Sequence, residues 1–290
     1  MSQGSIHFPG LSSRKSPTRF ARQPSKVDRE RSLSTRRAVE LAGKATAAPV
    51  FAVLSAIHGN LAALEAVLEY LDARAIRSAI CLGDIVGYGP HPIECIRMLR
   101  ERDIPCLRGN HEEGTLSDRI LTDLSSEAIA GILYARRVIS KPDLDFLRSL
   151  PDAFVFPELA FVHAAFPQPE DFDYICNCQH AEVHLNAQPA PVSFFGHTHR
   201  QGGFRRKLFG ASEISSFQPV EIGAGETVAF NPGSVGQPRD GDLRAALLVY
   251  DTRSRKVEFL RVDYDIDTTV RAITQAGLPP RLGRRLRSGR

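Results

Sequence analysis

Between Ala79 and His111 the chain twice runs a short apolar stretch straight into a glycine-centred polar turn. Ala79-Ile80-Cys81-Leu82 leads into Gly83-Asp84, and Ile104-Pro105-Cys106-Leu107 leads into Gly109-Asn110-His111. Apolar runs of this length, bounded by glycine and polar residues, read as buried strands of a parallel sheet. Proteins of the α/β class place their ligands at the carboxyl ends of such strands. Asp84, Asn110 and His111 are therefore expected at one rim. An acid, an amide oxygen and an imidazole gathered there suit a divalent metal and a phosphate.

The rest of the chain supplies the same rhythm. Val50–Leu54 reads as a first strand ending in Ser55-Ala56-Ile57-His58-Gly59-Asn60. Leu61, Leu64, Leu68 and Leu71 then mark one face of a helix, and Ile93, Ile96 and Leu99 another. Two further helices are expected, one capped near Ser125 or Ser126 and one opening at Pro142. Beyond them, short β-rich runs recur at 153–156, 159–162, 192–195, 204–209, 219–222, 227–230, 245–250 and 256–263, interrupted by a Pro- and aromatic-rich insertion at 166–191. A last helix is expected over about 266–276. The pattern describes two sheets packed face to face with helices outside.

Charge divides the chain in three. Residues 1–45 carry ten Lys/Arg against three acids, 281–290 carry five Arg and no acid, and 46–280 carry a net −8 inside an overall +4. The ends, 1–45 and 281–290, are expected to be disordered and solvated, flanking a domain at 46–280. The first 27 residues lack acids, as organellar targeting segments do, but Pro9, Pro17 and Pro24 interrupt any amphipathic helix. A net-negative core disfavours nucleic acid as a partner, and no run of about 18 apolar residues offers a membrane span. Five cysteines, an odd number with three beside apolar runs, fit packed thiols in a reducing, cytoplasmic compartment. Oligomeric state is not legible.

Histidine or acid turns close five apolar runs: Ala56-x-His58, Gly83-Asp84, Gly109-Asn110-His111, His163, and Gly196-His197-Thr198-His199. A lone strand-end histidine is commonly structural, but this recurrence is not. His197 and His199 could go one to each of two neighbouring ions. Asp84 could bridge them and Asn110 would add a neutral oxygen. Paired metals hold both ends of an in-line displacement at phosphorus and generate hydroxide near neutral pH. His111, beside a ligand, is free to protonate a leaving alkoxide.

Over about residues 50–265 the chain resembles the calcineurin-like metallophosphoesterase superfamily, in particular its small bacterial and archaeal phosphodiesterases and diadenosine-tetraphosphatase-like proteins. The resemblance runs through Ser55-Ala56-Ile57-His58-Gly59-Asn60, Gly83–Pro90, Arg108-Gly109-Asn110-His111-Glu112, Val162-His163, Gly196-His197-Thr198-His199 and Asn231–Arg239. It implies an α/β fold, a four-layer αββα sandwich of two mixed β-sheets flanked by helices. It also implies two divalent ions, drawn from manganese, iron, zinc, nickel or magnesium. His58, Asp84 and His199 would hold the first. Asp84, shared, with Asn110, His163 and His197 would hold the second. His111 would be the catalytic histidine, and Gly233-Ser234 a tight turn at the site.

One position departs from the family pattern. Ala56 stands where the family's first motif has aspartate, a ligand of the first metal. Losing a partner of a metal ligand costs about 10–100-fold in affinity or activity, and losing a charged ligand should cost at least as much. Ser55 faces the other way along the strand; Asp171, Asp173 and Asp240 are conceivable substitutes. Around the site, Arg108 and Arg200 could reach phosphate oxygens, Tyr88 could stack on a nucleobase, and Phe166, Phe172 and Tyr174 could line a pocket for an aryl group; Arg239 is a further cation nearby. His180 and His184, spaced i, i+4, read as a solvated helix face. The expected function is metal-dependent hydrolysis of a phosphate ester or nucleotide anhydride, on a small phosphorylated substrate, weakened by Ala56. The alternative is a domain that binds a metal and a phosphorylated ligand without cutting it.

Overall fold

The structure, a computed structural model, describes residues 26–290, with side chains from Thr35 onward. Among the described residues, eleven strands form two sheets. The first sheet joins β1 (Val50–Leu54), β2 (Ala79–Cys81), β8 (Val220–Glu221), β10 (Ala245–Asp251) and β11 (Lys256–Val262) in the order β2-β1-β10-β11-β8. The second joins β3 (Ala153–Val155), β4 (Leu159–Val162), β5 (Val192–Phe194), β6 (Gln201–Arg206), β7 (Ala211–Ile214) and β9 (Val228–Pro232) in the order β3-β4-β5-β9-β6-β7. Both are mixed: β1–β2, β4–β5 and β5–β9 run parallel and the remaining pairs antiparallel.

Alternation along each strand builds the layers. Phe51 and Val53 of β1, Leu248 and Tyr250 of β10, Phe161 of β4, Phe194 of β5 and Phe230 of β9 meet between the sheets. Ala52, Leu54, Leu247 and Val249 face outward instead. They pack with α2 (Leu61–Ala73), α3 (Pro92–Glu101) and α6 (Lys141–Ser149). On the far side Ala160, Val162 and Ala229 face α7 (Cys178–Ala187). The result is helix, sheet, sheet, helix, the architecture the sequence implied. The helices α4 (Asn110–Leu116), α5 (Ser126–Val138), α8 (Ile266–Gln275) and α9 (Pro280–Leu286) complete the outer layer beside the site.

Three expectations are corrected. The apolar run 104–107 is not a strand. Pro105 has no N–H to give, so the contact with β2 is a single bridge, Cys81 with Cys106, made by two hydrogen bonds (Cys81 N to Pro105 O, Leu107 N to Cys81 O, both 2.9 Å). The N-terminal segment is not structureless throughout: α1 spans Lys26–Ala47, and its Ala42 and Ala45 are buried in the inter-sheet core. Residues 1–25 of that expected tail lie outside the described residues. The Arg-rich C-terminus also folds, because α9 buries Leu282 and Leu286 against Ile273 and Leu278.

Leu282→Ala is therefore expected to lower the unfolding free energy by about 2–5 kcal/mol in urea melts. A cost below about 0.5 kcal/mol, the value of an uninvolved surface position, would mean that α9 is not docked.

Candidate metal centre

The strand ends converge at the rim between β1, β2, β4, β5 and the N-terminus of α4. The chain reaches this point through tight left-handed turns: Ala56, His58, Asp84, His197 and His199 all have φ between 52° and 64°. Histidine and aspartate tolerate this region better than most residues. The turns swing their side chains inward from strands whose alternation would otherwise separate them. His197 and His199 do face different partners, as expected. They do so through this bend, since an extended backbone would turn residues two apart to the same side: Thr198 N donates to Gly196 O (2.7 Å), and Asn231 Nδ2 donates to both Gly196 O (2.7 Å) and Thr198 Oγ1 (3.0 Å).

All six expected ligand residues, His58, Asp84, Asn110, His163, His197 and His199, are buried and lie together. His58 Nε2 is 3.0 Å from His199 Nε2 and 3.5 Å from Asp84 Oδ2. His163 Nε2 is 3.4 Å from Asp84 Oδ2, 3.1 Å from Asn110 Oδ1 and 3.3 Å from His197 Nδ1. Asp84 Oδ2 thus stands between two clusters, while its Oδ1 accepts from His111 N (2.9 Å).

Tautomers decide what this convergence means. Nδ1 of His58 faces Val86 O (3.1 Å), Nδ1 of His163 faces Leu82 O (2.9 Å) and Nδ1 of His199 faces Gln237 O (2.7 Å). A carbonyl only accepts, so each of these Nδ1 atoms carries the hydrogen, and each Nε2 of a neutral ring presents a lone pair. The Nε2 lone pairs of His58 and His199 point at each other. That of His163 points at carboxylate and amide oxygens. Lone pairs gathered this closely repel unless a cation sits among them. Burial, then neighbouring charges, lowers the proton affinity of His58, His197 and His199 well below the ordinary imidazole value, so protons are not that cation there. Only His163 shifts upward; burial opposes this, but the Asp84 carboxylate outweighs it. A metal entering would displace at most that proton. The donor set of imidazole nitrogens, one carboxylate and one amide oxygen suits a borderline divalent metal.

His111 lies in the first turn of α4, edge-on to His58 (ring centroids 4.5 Å apart), with its buried Nδ1 unpartnered among the described residues. Gly87, at φ 83°, leaves it room: a Cβ there would overlap Nδ1. Burial, partly offset by Asp84, pushes its proton affinity down to about 4. Two pivotal residues were not singled out from the sequence. Glu112 accepts from the N–H groups of Asp84 (2.8 Å), Ile85 (2.8 Å), Val86 (3.2 Å) and Gly109 (2.8 Å). Its place three residues after Gly109, at the start of a helix, is capping-box spacing and could have flagged it. Gln237 presents its backbone carbonyl to His199; it lies within the Asn231–Arg239 motif, but a backbone acceptor leaves no residue-type signal.

The structure separates the expected substrate contacts. Arg108 is turned away, its Nη2 held by Asp152 (2.7 and 3.0 Å) with Nε also on Oδ1 (2.9 Å). Tyr88 is buried against His58 and His111 (4.7 and 4.5 Å), its hydroxyl accepting from Arg239, so it is a wall of the centre rather than a free stacking surface. Arg200 is exposed beside the centre. Phe166 and Phe172 are packed away; Tyr174 alone is presented, 49% exposed and stacked on His197 at 3.9 Å. His184 is no solvated residue: it is buried, with Nε2 on Ser193 Oγ (2.9 Å) and Nδ1 accepting from Phe166 N (3.1 Å), while His180 is exposed.

At Ala56 the methyl is buried and the backbone is held by Gly83 O, Gly236 N (3.0 Å each) and Ser234 Oγ (2.7 Å). Ser55 Oγ lies under Gly196, without a partner among the described residues. Asp240 is bound to Gln201 N and Arg261, and Asp171 and Asp173 are exposed. None of these stands in for the missing acid.

A model of the calcineurin-like phosphoesterase superfamily domain matches residues 50–255. The chain belongs to the calcineurin-like phosphoesterase superfamily. It is 34% identical to an uncharacterized protein of Methanocaldococcus jannaschii over 83% of this chain and 98% of that one. It is 32% identical to the crystal structure of a metallophosphoesterase from Sphaerobacter thermophilus, covering 83% of this chain and all of the other with a TM-score of 0.73. A hypothetical protein of Pyrococcus horikoshii shares the fold at 20% identity and a TM-score of 0.69, over 83% and 98% of the two chains. Phosphoesterases of this superfamily use divalent metals, and the histidine and aspartate clusters here are of that kind.

Glu112→Gln puts an NH₂ against backbone donors and should weaken Mn²⁺ binding by about 10–100-fold in calorimetric titration; Glu113→Gln should leave it unchanged. A second expectation concerns pH. Burial pushes the proton affinity of His184 down to about 3 from 6.5, so below pH 6.5 the unfolded chain takes up a proton that the folded chain refuses. Stability should fall as pH drops from about 6.5 toward 3, by up to about 1.4 kcal/mol per pH unit from this residue. His184→Asn should flatten that slope in urea melts at stepped pH, and an identical slope would remove His184 from the account.

Proposed function

We propose that this chain is a metal-dependent hydrolase of a small phosphorylated substrate, a phosphate ester or nucleotide anhydride, working with two divalent ions in a reducing, cytoplasmic setting. The observation that carries the reading is the set of buried lone pairs on His58, His199, His163, Asp84 and Asn110 aimed at one another. His58, Asp84 and His199 would hold one ion; Asp84, Asn110, His163 and His197 the other. Manganese, iron, zinc, nickel and magnesium all remain chemically suitable. When bound, such ions polarise phosphoryl oxygens and lower the pKa of water.

The protein's own side chains do the rest. Backbone carbonyls fix the three histidine rings, and Glu112 fixes the Asp84 and Gly109 turns. His111 would hand a proton to a departing oxygen, the negative charge of a bound phosphoryl group raising its proton affinity from the value of about 4 it has without substrate. Tyr88 and Tyr174 wall the centre on two sides and exclude water from the histidine rings.

Ala56 weakens the first ion's hold. The backbone there keeps a left-handed bend that aspartate accepts more readily than alanine, so restoring the acid suits the backbone as it stands. It also supports a second reading, a domain that binds a phosphorylated ligand through the second site and does not cut it. With Mn²⁺ and aryl phosphate mono- and diesters, Ala56→Asp should raise turnover by at least about tenfold, the lower end for metal-site lesions. It should also gain more thermal stability from Mn²⁺ than the parent chain does. Turnover unchanged by the restored acid would favour the binding domain.

A further inference from the structure

Beside the centre a groove of about 450 Å³ runs between the insertion and the edge formed by β6 and β7. Tyr174, Thr198, Arg200, Glu213, Asn231 and Arg239 are among its walls. Two of them are cations, and neither has a carboxylate within ion-pair distance among the described residues. Of the neighbouring acids, Asp240 is committed to Arg261 and Asp242 to Arg244 and Arg261, while Glu213, exposed in the groove wall, has no cation within ion-pair distance among the described residues.

Arg239 is held in register with the centre. Its N–H donates to His199 O (3.1 Å), and its guanidinium donates through Nη2 to Gln237 Oε1 (2.9 Å) and Tyr88 Oη (3.2 Å) while its Cζ lies 5.6 Å from the Tyr88 ring centroid. Those acceptors are neutral and occupy one side of the fork, and Nη1 has no partner among the described residues. A fixed cation next to a site for two more cations is electrostatically unfavourable by itself. It becomes favourable when an anion lies between them. Asp84 is the one carboxylate among the six converging groups, because Ala56 removes the other, so the protein contributes little of that negative charge.

We propose that Arg239, with Arg200, binds a second phosphoryl group next to the scissile one, so that the groove selects phosphoanhydrides over simple monoesters. The proposal rests on the hydrolase reading and names its substrate class. Hydrolysis of such a substrate puts the water oxygen on the attacked phosphorus and breaks that atom's bond to the bridging oxygen. The second phosphoryl group leaves with that oxygen and its electron pair, and the water's two protons end as one P–OH and one proton released to solvent. The departing charge appears where Arg239 and Arg200 stand, as a planar fork suits. Inorganic pyrophosphate and a nucleoside diphosphate share this chemistry; Tyr174 would favour the nucleotide by stacking.

The test compares kcat/KM for ADP, pyrophosphate and p-nitrophenyl phosphate with Mn²⁺, in the parent chain and in Arg239→Gln, Arg239→Lys and Arg200→Gln. The ratio of anhydride to monoester should fall about tenfold or more in Arg239→Gln, as for a lost charge-assisted hydrogen bond, and recover in part with lysine. A ratio that does not move overturns the proposal while leaving the hydrolase reading intact. Binding supplies the other arm: by calorimetry, methylenediphosphonate should bind the parent chain at least about tenfold tighter than methylphosphonate, with and without Mn²⁺, and Arg200→Gln should narrow that gap. If no ester or anhydride is turned over but the diphosphonate preference holds, the hydrolase reading fails and the second-phosphoryl site stands. Equal affinity for the two phosphonates overturns it. Tighter binding of pyrophosphate than ADP would assign the groove to the inorganic anion.

Discussion

The Glu112 carboxylate is the clasp of this molecule. Four backbone N–H groups from two separate turns end on its two oxygens. Burying a carboxylate is costly, and here burial and the nearby Asp84 charge push its proton affinity up to about 7 in spite of those bonds. The arrangement persists because the turns would otherwise bury the same four donors without acceptors. Its consequence is geometric. With the 83–86 and 109–112 segments locked together, Asp84 Oδ1 meets His111 N, and Oδ2 is left facing His58 and His163. The posture of Asp84, with Oδ2 between the two histidine clusters, follows from a residue that belongs to neither.

Orientation of the histidines follows a related logic. In many metal sites carboxylates fix the ring tautomers; here backbone carbonyls of Leu82, Val86 and Gln237 do so. Each belongs to a turn that also carries a residue of the centre or adjoins one. The rings therefore cannot relax away from one another without unmaking the turns, and the turns are braced by Glu112 and by Ser234, which links Ala56 O to Gln237 N (2.7 Å each). The left-handed bends at His58, Asp84, His197 and His199 cost about 1–2 kcal/mol each, strain that the surrounding hydrogen bonds sustain.

Much of this was legible in the sequence because strand ends announce themselves. An apolar run followed by glycine and a histidine or acid fixes both where a strand stops and which side chain is delivered there, and the six converging residues were found that way. Other features left weaker traces. The helix α1 packs through Ala38, Ala42 and Ala45, residues too small to stand out as an apolar stripe amid arginine and serine. In α9 two leucines four apart sit among arginines, so composition suggested a tail where spacing indicated a face. Arg108 illustrates the opposite error: adjacency to Gly109 and Asn110 implied a role at the centre, yet its partner, Asp152, comes from another turn and draws it off. Partners distant in sequence are what one-dimensional spacing does not encode.

Ala56 changes more than a ligand count. On the proposed two-ion reading, an alanine where the family has aspartate would weaken the hold on the first cation and at the same time leave the remaining positive charge less compensated. Arg239 sharpens that imbalance, because it is fastened to His199 and Tyr88 and cannot withdraw freely. An ordinary monoester brings two negative charges to such a centre, and a phosphoanhydride brings three or more. On that reading the same substitution would raise the relative advantage of a ligand that carries its own charge. In that arrangement metal and substrate hold one another in place, and affinity for each depends on the presence of the other.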